Sequence, residues 1–484
     1  MPSALMELGS CVYGYAGIPQ DSRLTFDILR GSSTVEVSGL ILDNRDGAAG
    51  VRPGWRERTS ATTLATASRF IARLGDRGVS DGVLLPGVHA LTSRLGSAIA
   101  LIESQLRLNS KPFPIDSEVF GDFIWQTIFS NTLPAERKSL VLQSPFYGCG
   151  VTLTQLVASA LLKLPPLKID TGGFDYFIVQ KPQHVRVSAG TRLVIRYHDS
   201  IPLTHPHSTI YPKITQRAHQ RSLTGSIASD ALYVCNSEAT QADLTRWHPA
   251  LRERSCVVNC CVSDEFYPEA SRGIGAVLKD NISPDVFAAE ADINRHLQEA
   301  GEKAADCSER YFLAVGSMEP RKNYGGLLDA WEKFSARGHR DVKLVLVASN
   351  FWNQSELVHR LQRRIAAGDV IVVSGLDTPA LRLVYSNALA TISASFVEGF
   401  NITGVESMQC GTPVLASEIA VHREIYGAGA RYFDPHDAAA LADTMEAFVS
   451  VNEAESTRIS RVCREIAGQY ARPQILAQWQ RALA

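Results

Sequence analysis

The stretch Phe396-Val-Glu-Gly-Phe-Asn-Ile-Thr-Gly-Val-Glu-Ser-Met-Gln-Cys-Gly-Thr-Pro-Val-Leu-Ala-Ser417 carries the clearest structural pattern in this chain of 484 residues. The apolar run at 389–392 precedes it and predicts a buried strand. Gly399 then predicts a turn, and a helix of about ten residues is predicted to start near Asn401 and to be ended by Gly411 and Pro413. Apolar residues after the proline open another strand, so the order is strand, glycine turn, helix, strand.

The start of this predicted helix is a candidate anion site. Its first backbone N–H groups have no partner within the helix, and the helix dipole is positive there. Glu398 lies in the turn before the helix, and Glu406 lies about one turn into it. A helix start that holds a diphosphate, with one acid on each side, suits a nucleotide sugar: one acid for the sugar hydroxyls and one for the ribose hydroxyls. The alternative is that both acids are solvated residues at a helix start.

In this context the stretch resembles the signature of the retaining glycosyltransferases of family 4, which have the GT-B fold. That signature is Glu-Gly-Phe, seven residues between two Glu, then Cys-Gly-x-Pro-Val. It is matched at Glu398, Gly399, Phe400, Glu406, Cys410, Gly411, Pro413 and Val414. The resemblance implies an α/β protein with two Rossmann-like, doubly wound domains facing across a cleft. It also implies transfer of a hexose from a nucleotide sugar to an acceptor hydroxyl with retention of configuration.

A second motif follows the predicted strand at 311–316. The run Val315-Gly-Ser-Met-Glu-Pro-Arg-Lys-Asn323 matches the family's Gly-x-x-x-Pro-Arg-Lys-Asn. A forked guanidinium and a point-charge ammonium both suit a diphosphate. Leu376 follows another predicted strand, where the family holds the nucleotide base. The resemblance thus predicts donor binding by Arg321, Lys322, Leu376, Phe400, Asn401, Ile402, Thr403 and Glu406.

The N-terminal half offers one further motif. The strand predicted at 191–197 is followed by His198-Asp199, and ligands of open α/β sheets bind at the carboxyl ends of strands. The resemblance assigns His198 to the donor sugar, so His198 and Glu398 are the predicted catalytic residues. Asp199 could serve only to orient a loop or cap a helix. Gly14 and Gly17 take the place of the family's glycine-rich phosphate loop, with an ordinary strand-to-helix turn as the alternative.

Four segments are predicted along the chain. Strands and helices alternate from 311 to 450, which predicts a doubly wound parallel sheet. The N-terminal half has a sparser α/β pattern that includes strands at 12–17 and 139–142. The predicted division is an acceptor-side domain at 1–268, a connector with an inserted helix at 269–308, a nucleotide-sugar-binding domain at 309–465, and a C-terminal helix at 466–484 that crosses back. The inserted helix is placed at 286–300, and the C-terminal helix is predicted to break near Pro473.

Composition excludes several classes of protein. A formal charge of −2 argues against a nucleic-acid binder, which needs a basic excess. No apolar run approaches the length of a membrane span, and the N-terminus lacks the pattern of a signal peptide. The nine cysteines show no zinc spacing and predict reduced thiols in a cytoplasm. The arginine-rich stretch 51–78 could contact anionic lipid at the inner membrane surface, or simply form a solvated face.

The identity of the donor stays open at this stage. The His198 context resembles bacterial surface-polysaccharide transferases, many of which use GDP-mannose or a related donor, with a glycan or lipid-linked acceptor. A UDP-sugar donor is the first alternative, and a non-catalytic nucleotide-sugar-binding subunit is the second. No metal or other cofactor is expected, because Arg321, Lys322 and the helix start would supply the electrostatic stabilisation of the leaving diphosphate.

Overall fold

Two large, mainly parallel β-sheets, one in each half of the chain, build the protein, and a small parallel pair joins Leu167–Lys168 to Val185–Arg186. The structure, a computed structural model, describes residues 1–14, 17–42, 60–75, 101–102, 105–106, 110–209, 213–270, 273–288, 293–305, 310–348 and 355–484.

The N-terminal sheet has eight strands in the order β8-β7-β6-β5-β1-β2-β4-β3. All neighbours are parallel except β3, which runs antiparallel to β4 at one edge. Strand order reverses between β1 and β5, which makes this point a crevice at the carboxyl edge. The strands are β1 Ser3–Glu7, β2 Glu36–Ile41, β3 Phe113–Ile115, β4 Phe146–Gly148, β5 Tyr176–Val179, β6 Arg192–Tyr197, β7 Leu232–Cys235 and β8 Ser255–Val257.

The C-terminal sheet has six parallel strands in the order β11-β10-β9-β12-β13-β14. This is the doubly wound order, and its reversal point lies between β9 and β12. The strands are β9 Tyr311–Val315, β10 Lys343–Val347, β11 Val370–Val373, β12 Ala390–Ser393, β13 Val414–Ser417 and β14 Ala430–Phe433. Helices cover both faces of a parallel sheet, which explains why strands such as β11 read as continuous apolar runs and are buried at every position.

Helices connect the strands and cover the sheets. In the N-terminal half they are α1 Ile18–Arg30, α2 Ser60–Gly75, α3 Ser117–Ile124, α4 Lys138–Val141, α5 Leu153–Leu161, α6 Ile201–Thr204, α7 Lys213–Ile227 and α8 Glu238–Trp247. The rest are α9 Ile274–Asp280, α10 Ile293–Ala305, α11 Tyr324–Ala336, α12 Ser355–Ala367, α13 Thr378–Ser386, α14 Ile402–Gln409, α15 Ala420–Tyr426, α16 Ala438–Val449, α17 Glu453–Ala467 and α18 Arg472–Ala482.

The last helix, α18, packs on the N-terminal half. Ile475 and Trp479 are fully buried in the N-terminal core, and the Gln478 side chain accepts a hydrogen bond from the Asn259 backbone N–H at 2.7 Å. Arg472 pairs with the buried Asp27 of α1. The chain therefore joins its two halves twice, once through residues 258–310 and once through α18.

Several predicted elements are wrong or displaced. The first strand is Ser3–Glu7, and the described residues 12–14 of the predicted strand at 12–17 form no strand but follow a 3-10 turn at Gly9–Cys11. The predicted strand at 139–142 falls on the short helix Lys138–Val141 and the residue after it. Val141 is the only buried residue of this helix. Both errors came from taking a short apolar run for a strand without length or periodicity to decide.

The connector and the C-terminal break also differ from prediction. A helix predicted at 286–300 is a 3-10 turn at Pro284–Phe287 followed by α10, while α9 went unpredicted. The break before α18 falls at 468–471, and Pro473 sits in the first turn of α18, where its missing N–H has no helical partner to lose.

Of the arginine-rich stretch 51–78, the structure describes only 60–75. There Arg69 is exposed and Arg73 is half-buried on α2. Over the described ranges, no helix is both long and apolar enough to cross a bilayer. Eight cysteines fall within those ranges, and all eight are free thiols.

Candidate active site

The reversal point of the C-terminal sheet brings three charged residues together. The loop after β9 carries Arg321 and Lys322, and the loop after β12 carries Glu398. Arg321 donates to Glu398 at 2.5 Å and Lys322 lies 2.6 Å from the same carboxylate. The sequence placed the two motifs after separate strands, and the structure shows their charged side chains in direct contact.

Neighbouring residues fix the two loops relative to each other. The Phe396 N–H donates to the Arg321 carbonyl at 2.8 Å, so the second loop is tied to the first. Asn323 takes a left-handed conformation, caps α11 and donates to the Ala394 carbonyl at 3.2 Å. Glu319 accepts from Arg321 at 2.9 Å and therefore orients the guanidinium from the opposite side.

The pairing of Glu398 with Arg321 favours the ionised state of both groups. Burial acts to raise the pKa of Glu398, but the attraction of Arg321 and Lys322 outweighs it and lowers that pKa to about 2. Burial acts to lower the pKa of Arg321, and the carboxylates of Glu398 and Glu319 raise it. The Ser395 hydroxyl completes the shell by donating to Glu398 at 2.8 Å.

The start of α14 presents free backbone donors. Asn401 occupies the cap position in the left-handed conformation, with φ of 66°, and its side chain makes no cap hydrogen bond. That side chain is instead held by Ser393 at 2.5 Å and by the buried His422 at 3.0 Å. The first-turn N–H groups, which include those of Ile402 and Thr403, are thus left without a side-chain cap beside Glu398.

Glu406 is buried one turn into α14. Its two oxygens accept from the Tyr385 hydroxyl at 3.0 Å and from the Gln20 side-chain amide at 2.6 Å. Burial raises the pKa of Glu406 to about 7, against the lowering effect of those two hydrogen bonds. Gln20 belongs to α1 of the N-terminal half, so this contact crosses the cleft.

Two predicted donor-binding residues turn their side chains elsewhere. The Phe400 ring is buried in the core and packs edge-to-face on Tyr470, with centroids 5.4 Å apart. Leu376 is half-buried and packs against the same core. A donor contact by Phe400 would therefore use its backbone. The predicted contact of Leu376 with the nucleotide base would use the backbone as well.

On the opposite side of the cleft, His198 follows β6 and faces a cavity of about 180 Å³. Burial lowers the pKa of His198 to about 4, so the ring is neutral near pH 7. Its Nε2 is buried and has no hydrogen-bond partner among the described residues. Arg321 lines the same cavity. Asp199 accepts from the Ile201 N–H at 2.9 Å and so caps the following turn, as its alternative role predicted.

The two halves touch next to the charged cluster. The Gly399 carbonyl accepts from the hydroxyls of Ser237 at 2.7 Å and Thr240 at 3.1 Å. A Cβ added at Gly399 would overlap the carbonyl oxygen of His198. Glu424 reaches across the cleft and accepts from the first two N–H groups of α8, at 2.7 and 2.8 Å.

Gly399→Ala is expected to reduce turnover at least tenfold while nucleotide affinity changes little. The added methyl group would push His198 away from Glu398, and a displacement of about 1 Å at a reacting centre can cost two orders of magnitude in rate. Steady-state kinetics and calorimetry with a nucleoside diphosphate measure the two effects. Gly468→Ala is the control, because Gly468 has an ordinary helical backbone with φ of −58° and a Cβ there meets no neighbour within 4 Å. Wild-type turnover in Gly399→Ala would contradict the close approach.

The predicted glycine loop is only partly described. Gly17 has φ of 67° and caps α1, and the Gly14 carbonyl accepts a hydrogen bond from the buried Arg23. Residues 15 and 16 lie outside the described ranges, so contact of this loop with phosphate stays a prediction. Within the described part of the chain, no group of three His, Cys, Asp or Glu side chains could hold a metal ion.

Sequence reasoning missed Gln20, Glu319, Tyr385 and His422, which orient the predicted residues. It also missed the buried ion pair of Asp21 with Arg196, joined at 2.8 Å, which connects α1 to β6 two residues before His198. A signal for that pair was present, because an arginine within an otherwise apolar strand requires a partner.

Comparison with known proteins agrees with this geometry. Residues 298–462 match the sequence model of the family described as Glycosyl transferases group 1. A sucrose-phosphate synthase from Thermosynechococcus elongatus aligns over 99% of this chain and 98% of its own, with a TM-score of 0.55 and 15% identity. The architecture is thus the GT-B fold, and the match to glycosyl transferases group 1 falls on the C-terminal sheet and its helices.

Two curated relatives are similar over shorter stretches. The O-antigen chain mannosyltransferase B of Escherichia coli is 25% identical over 251 residues, which is 52% of this chain and 59% of the relative. The O-antigen chain mannosyltransferase RfbU of Salmonella typhimurium is 30% identical over 133 residues, 27% of this chain and 35% of the relative. The chain thus spans less than two thirds of the length of either relative.

Proposed function

We propose that this protein is a retaining hexosyltransferase. It moves a hexose, preferentially mannose from a GDP-sugar, to a hydroxyl of a glycan or lipid-linked acceptor in bacterial surface-polysaccharide synthesis. The reaction would take place in the cytoplasm or at the cytoplasmic face of the membrane.

The observation that carries the proposal is the cluster at the C-terminal reversal point. Arg321 and Lys322 meet Glu398 beside the uncapped start of α14. Two cations and a set of free N–H groups match the charge of a diphosphate, and a carboxylate beside them matches sugar hydroxyls. A structural role alone would not require three charged side chains, each at most 18% exposed, at the ligand-binding edge of the sheet.

Each residue has one role in this proposal. Arg321, Lys322 and the N–H groups of α14 stabilise the leaving diphosphate, which leaves no need for a metal ion. Glu398 positions sugar hydroxyls, His198 contacts the sugar from the opposite half, and Glu406 binds the ribose. The bond from the anomeric carbon to the phosphate oxygen breaks as the bond to the acceptor oxygen forms on the same face. The departing phosphate takes the acceptor's proton.

Preference for mannose is supported by the similarity to two O-antigen chain mannosyltransferases, and a GDP-sugar donor follows from the resemblance of the His198 context to bacterial surface-polysaccharide transferases. A UDP-sugar is the alternative donor. A thermal-shift panel of GDP, UDP and ADP discriminates between them, since a ligand raises the melting temperature according to its affinity. The largest shift is expected with GDP.

The second alternative is a subunit that binds a nucleotide sugar without transferring it. Slow release of sugar from radiolabelled GDP-mannose without acceptor is the discriminating measurement. Release by the wild type and its loss in Glu398→Gln would support the enzyme. Nucleotide binding with no release and no transfer would favour the binding subunit, and no binding of any nucleotide would refute the proposal.

Arg321→Ala and Lys322→Ala are each expected to weaken nucleoside diphosphate binding about tenfold or more. Each removes a charge-assisted hydrogen bond of the kind worth about 1.5–3 kcal/mol. Isothermal calorimetry measures the affinity, and Arg458→Ala is the control, because Arg458 is exposed and pairs only with Glu455 among the described residues. Unchanged affinity in both cluster variants would rule out their assignment to the diphosphate.

A further inference from the structure

One contact between the two halves of the chain falls on a residue that the proposed function assigns to the donor. Gln20, in the first turn of α1, donates from its side-chain amide to Oε1 of Glu406 at 2.6 Å. The Tyr385 hydroxyl donates to Oε2 of the same carboxylate at 3.0 Å. Both oxygens of Glu406 therefore have a protein partner, and one of the two partners comes from the opposite half.

The surroundings of Glu406 show which partner a ligand could displace. Glu406 is only 2% exposed, so a ribose cannot reach it while both partners stay in place. Tyr385 is fully buried in the core of the C-terminal half. Gln20 is half-buried and reaches Glu406 from the other side of the cleft. The Gln20 amide is thus the partner that occupies the approach of a ribose.

The backbone of α1 is firmly held in the N-terminal half. The residue after Gln20 is Asp21, which forms its buried ion pair with Arg196 at 2.8 Å. Arg23 is fully buried and donates to the Cys11 carbonyl at 2.9 Å. Moving a helix that carries two buried, paired charges is costly. Gln20 therefore leaves Glu406 either by turning its own side chain or by separation of the two halves.

Other contacts between the halves favour the turning of one side chain. The Gly399 carbonyl accepts from Ser237 and Thr240, and Glu424 accepts from the start of α8. None of these contacts uses Gln20. The halves can therefore stay together when the Gln20 amide leaves, and only one hydrogen bond between them is broken.

The chemistry of the amide matches that of the group it would replace. A glutamine N–H and a ribose hydroxyl are both neutral donors, and an ionised carboxylate accepts from either. We infer that Gln20 is an internal ligand of Glu406, which takes the place of the ribose in the nucleotide-free protein and competes with it during binding. The inference rests on the proposed function, because that function assigns the ribose to Glu406.

Two consequences follow from such competition. Nucleotide binds only the fraction of protein in which Gln20 has left, so the apparent affinity is lowered by that fraction. When the product nucleotide leaves, Gln20 restores the hydrogen bond that the carboxylate would otherwise lose, which assists release. A ligand with phosphates but no ribose would bind at Arg321 and Lys322 without displacing Gln20.

Gln20→Ala is expected to raise the affinity for GDP or UDP, whichever the wild type binds more tightly, by about fivefold or more. Calorimetry on the full chain measures this gain. Pyrophosphate is the matched ligand, and its affinity should stay within twofold of wild type. The titrations are made at pH 8, because the Gln20 hydrogen bond lowers the pKa of Glu406 and its loss would leave more of the carboxylate protonated near pH 7.

Two further variants separate the hydrogen bond from other effects. Gln20→Met keeps most of the bulk but has no donor, so it should gain nucleotide affinity as Gln20→Ala does. Gln298→Ala is the matched control and should bind as wild type. Gln298 also donates to a glutamate, Glu302, at 3.0 Å, but it does so on the exposed face of α10.

Unchanged or weaker nucleotide binding in Gln20→Ala, with binding intact in the wild type, would overturn the inference and leave the proposed function standing. A gain in Gln20→Ala that is absent from Gln20→Met would also overturn it, since bulk rather than competition for the carboxylate would then be the cause. An equal gain for pyrophosphate would show that Gln20 obstructs the whole cleft, which contradicts the inference as well. Failure of the wild type to bind either nucleotide would refute the proposed function and the inference with it.

Discussion

Glu398→Gln is expected to lower turnover by about 100- to 1000-fold, with a small change in the Michaelis constant for the donor. That range is typical for loss of one preorganised electrostatic contact at a reacting centre. Glu398 is ionised, with a pKa of about 2, and lies between Arg321 and Lys322. Its interaction with the sugar would strengthen as positive charge develops at the anomeric carbon, so the loss falls on the transition state.

The same substitution has a second expected effect, on stability. Removing the carboxylate leaves Arg321 with only Glu319 and leaves Lys322 without an anion, and an uncompensated buried charge is costly. The free variant should therefore melt several degrees below wild type. Saturating nucleoside diphosphate should recover most of that loss, because phosphate oxygens then neutralise both cations.

Melting temperatures with and without nucleotide, together with steady-state kinetics, test both effects. Glu418→Gln is the control, since Glu418 is exposed and pairs with the exposed Arg423. Near-native turnover in Glu398→Gln would show that the turn is structural. Equal nucleotide-induced shifts in variant and wild type would show that the diphosphate does not meet Arg321 and Lys322.

The C-terminal half was predicted well because its information is local. Several strands there, such as β11, are continuous apolar runs, and several helices carry their own cap residues. Asp377 caps α13 and Asp437 caps α16, as short-range patterns indicate. The Arg321 and Glu398 motifs each follow a strand directly, so the strand positions alone bring them to one edge of the sheet.

The N-terminal half was predicted less well because its site depends on distant pairings. Gln20 and Glu406 are separated by 386 positions, and Asp21 and Arg196 by 175. Contacts between residues so far apart in the sequence cannot be predicted from local residue spacing. β1 was misplaced for a related reason: Ser3–Glu7 contains a buried glutamate, Glu7, which bonds the Gly9 N–H at 2.5 Å and breaks the apolar pattern.

Functional residues outside any motif could not be found from the chain alone. Gln20 lies on α1, and only the folded arrangement places its side-chain amide on Glu406. His422 would have read as a surface helix residue, yet it is fully buried and holds Asn401. These residues act through neighbours that become neighbours only on folding.

Glu406→Gln should raise the donor Michaelis constant about 10- to 100-fold and leave turnover nearly unchanged. The ribose is bound equally before and during the reaction. Loss of its contact with Glu406 should therefore weaken donor binding without slowing the chemical step. A hydrogen bond to a charged group contributes about 1.5–3 kcal/mol, and each 1.4 kcal/mol is a factor of ten. Free nucleoside diphosphate should lose affinity in proportion, since the ribose hydroxyls replace Gln20 on the carboxylate.

The raised pKa of Glu406 should make both stability and nucleotide affinity depend on pH, in opposite directions. Burial raises that pKa from 4.5 to about 7, so the free protein gains stability from protonated Glu406 below pH 4.5 and loses it as the pH rises to about 7. At 1.36 kcal/mol per unit, the loss is on the order of 3 kcal/mol. Glutamine does not ionise, so Glu406→Gln should melt higher than wild type at pH 8 and nearly equally at pH 4.5.

Nucleotide binding should follow the opposite trend. Ribose hydroxyls donate to the ionised carboxylate, so wild-type affinity should increase as the pH rises through about 7. The phosphates of the ligand titrate in the same range, and Glu406→Gln corrects for them, because it shares the ligand but lacks the carboxylate. The difference between the two affinity profiles should therefore widen from pH 6 to pH 8. Parallel profiles, together with a melting temperature at pH 8 no higher than that of wild type, would show that Glu406 stays ionised in the free protein and that Gln20, rather than burial, controls its charge.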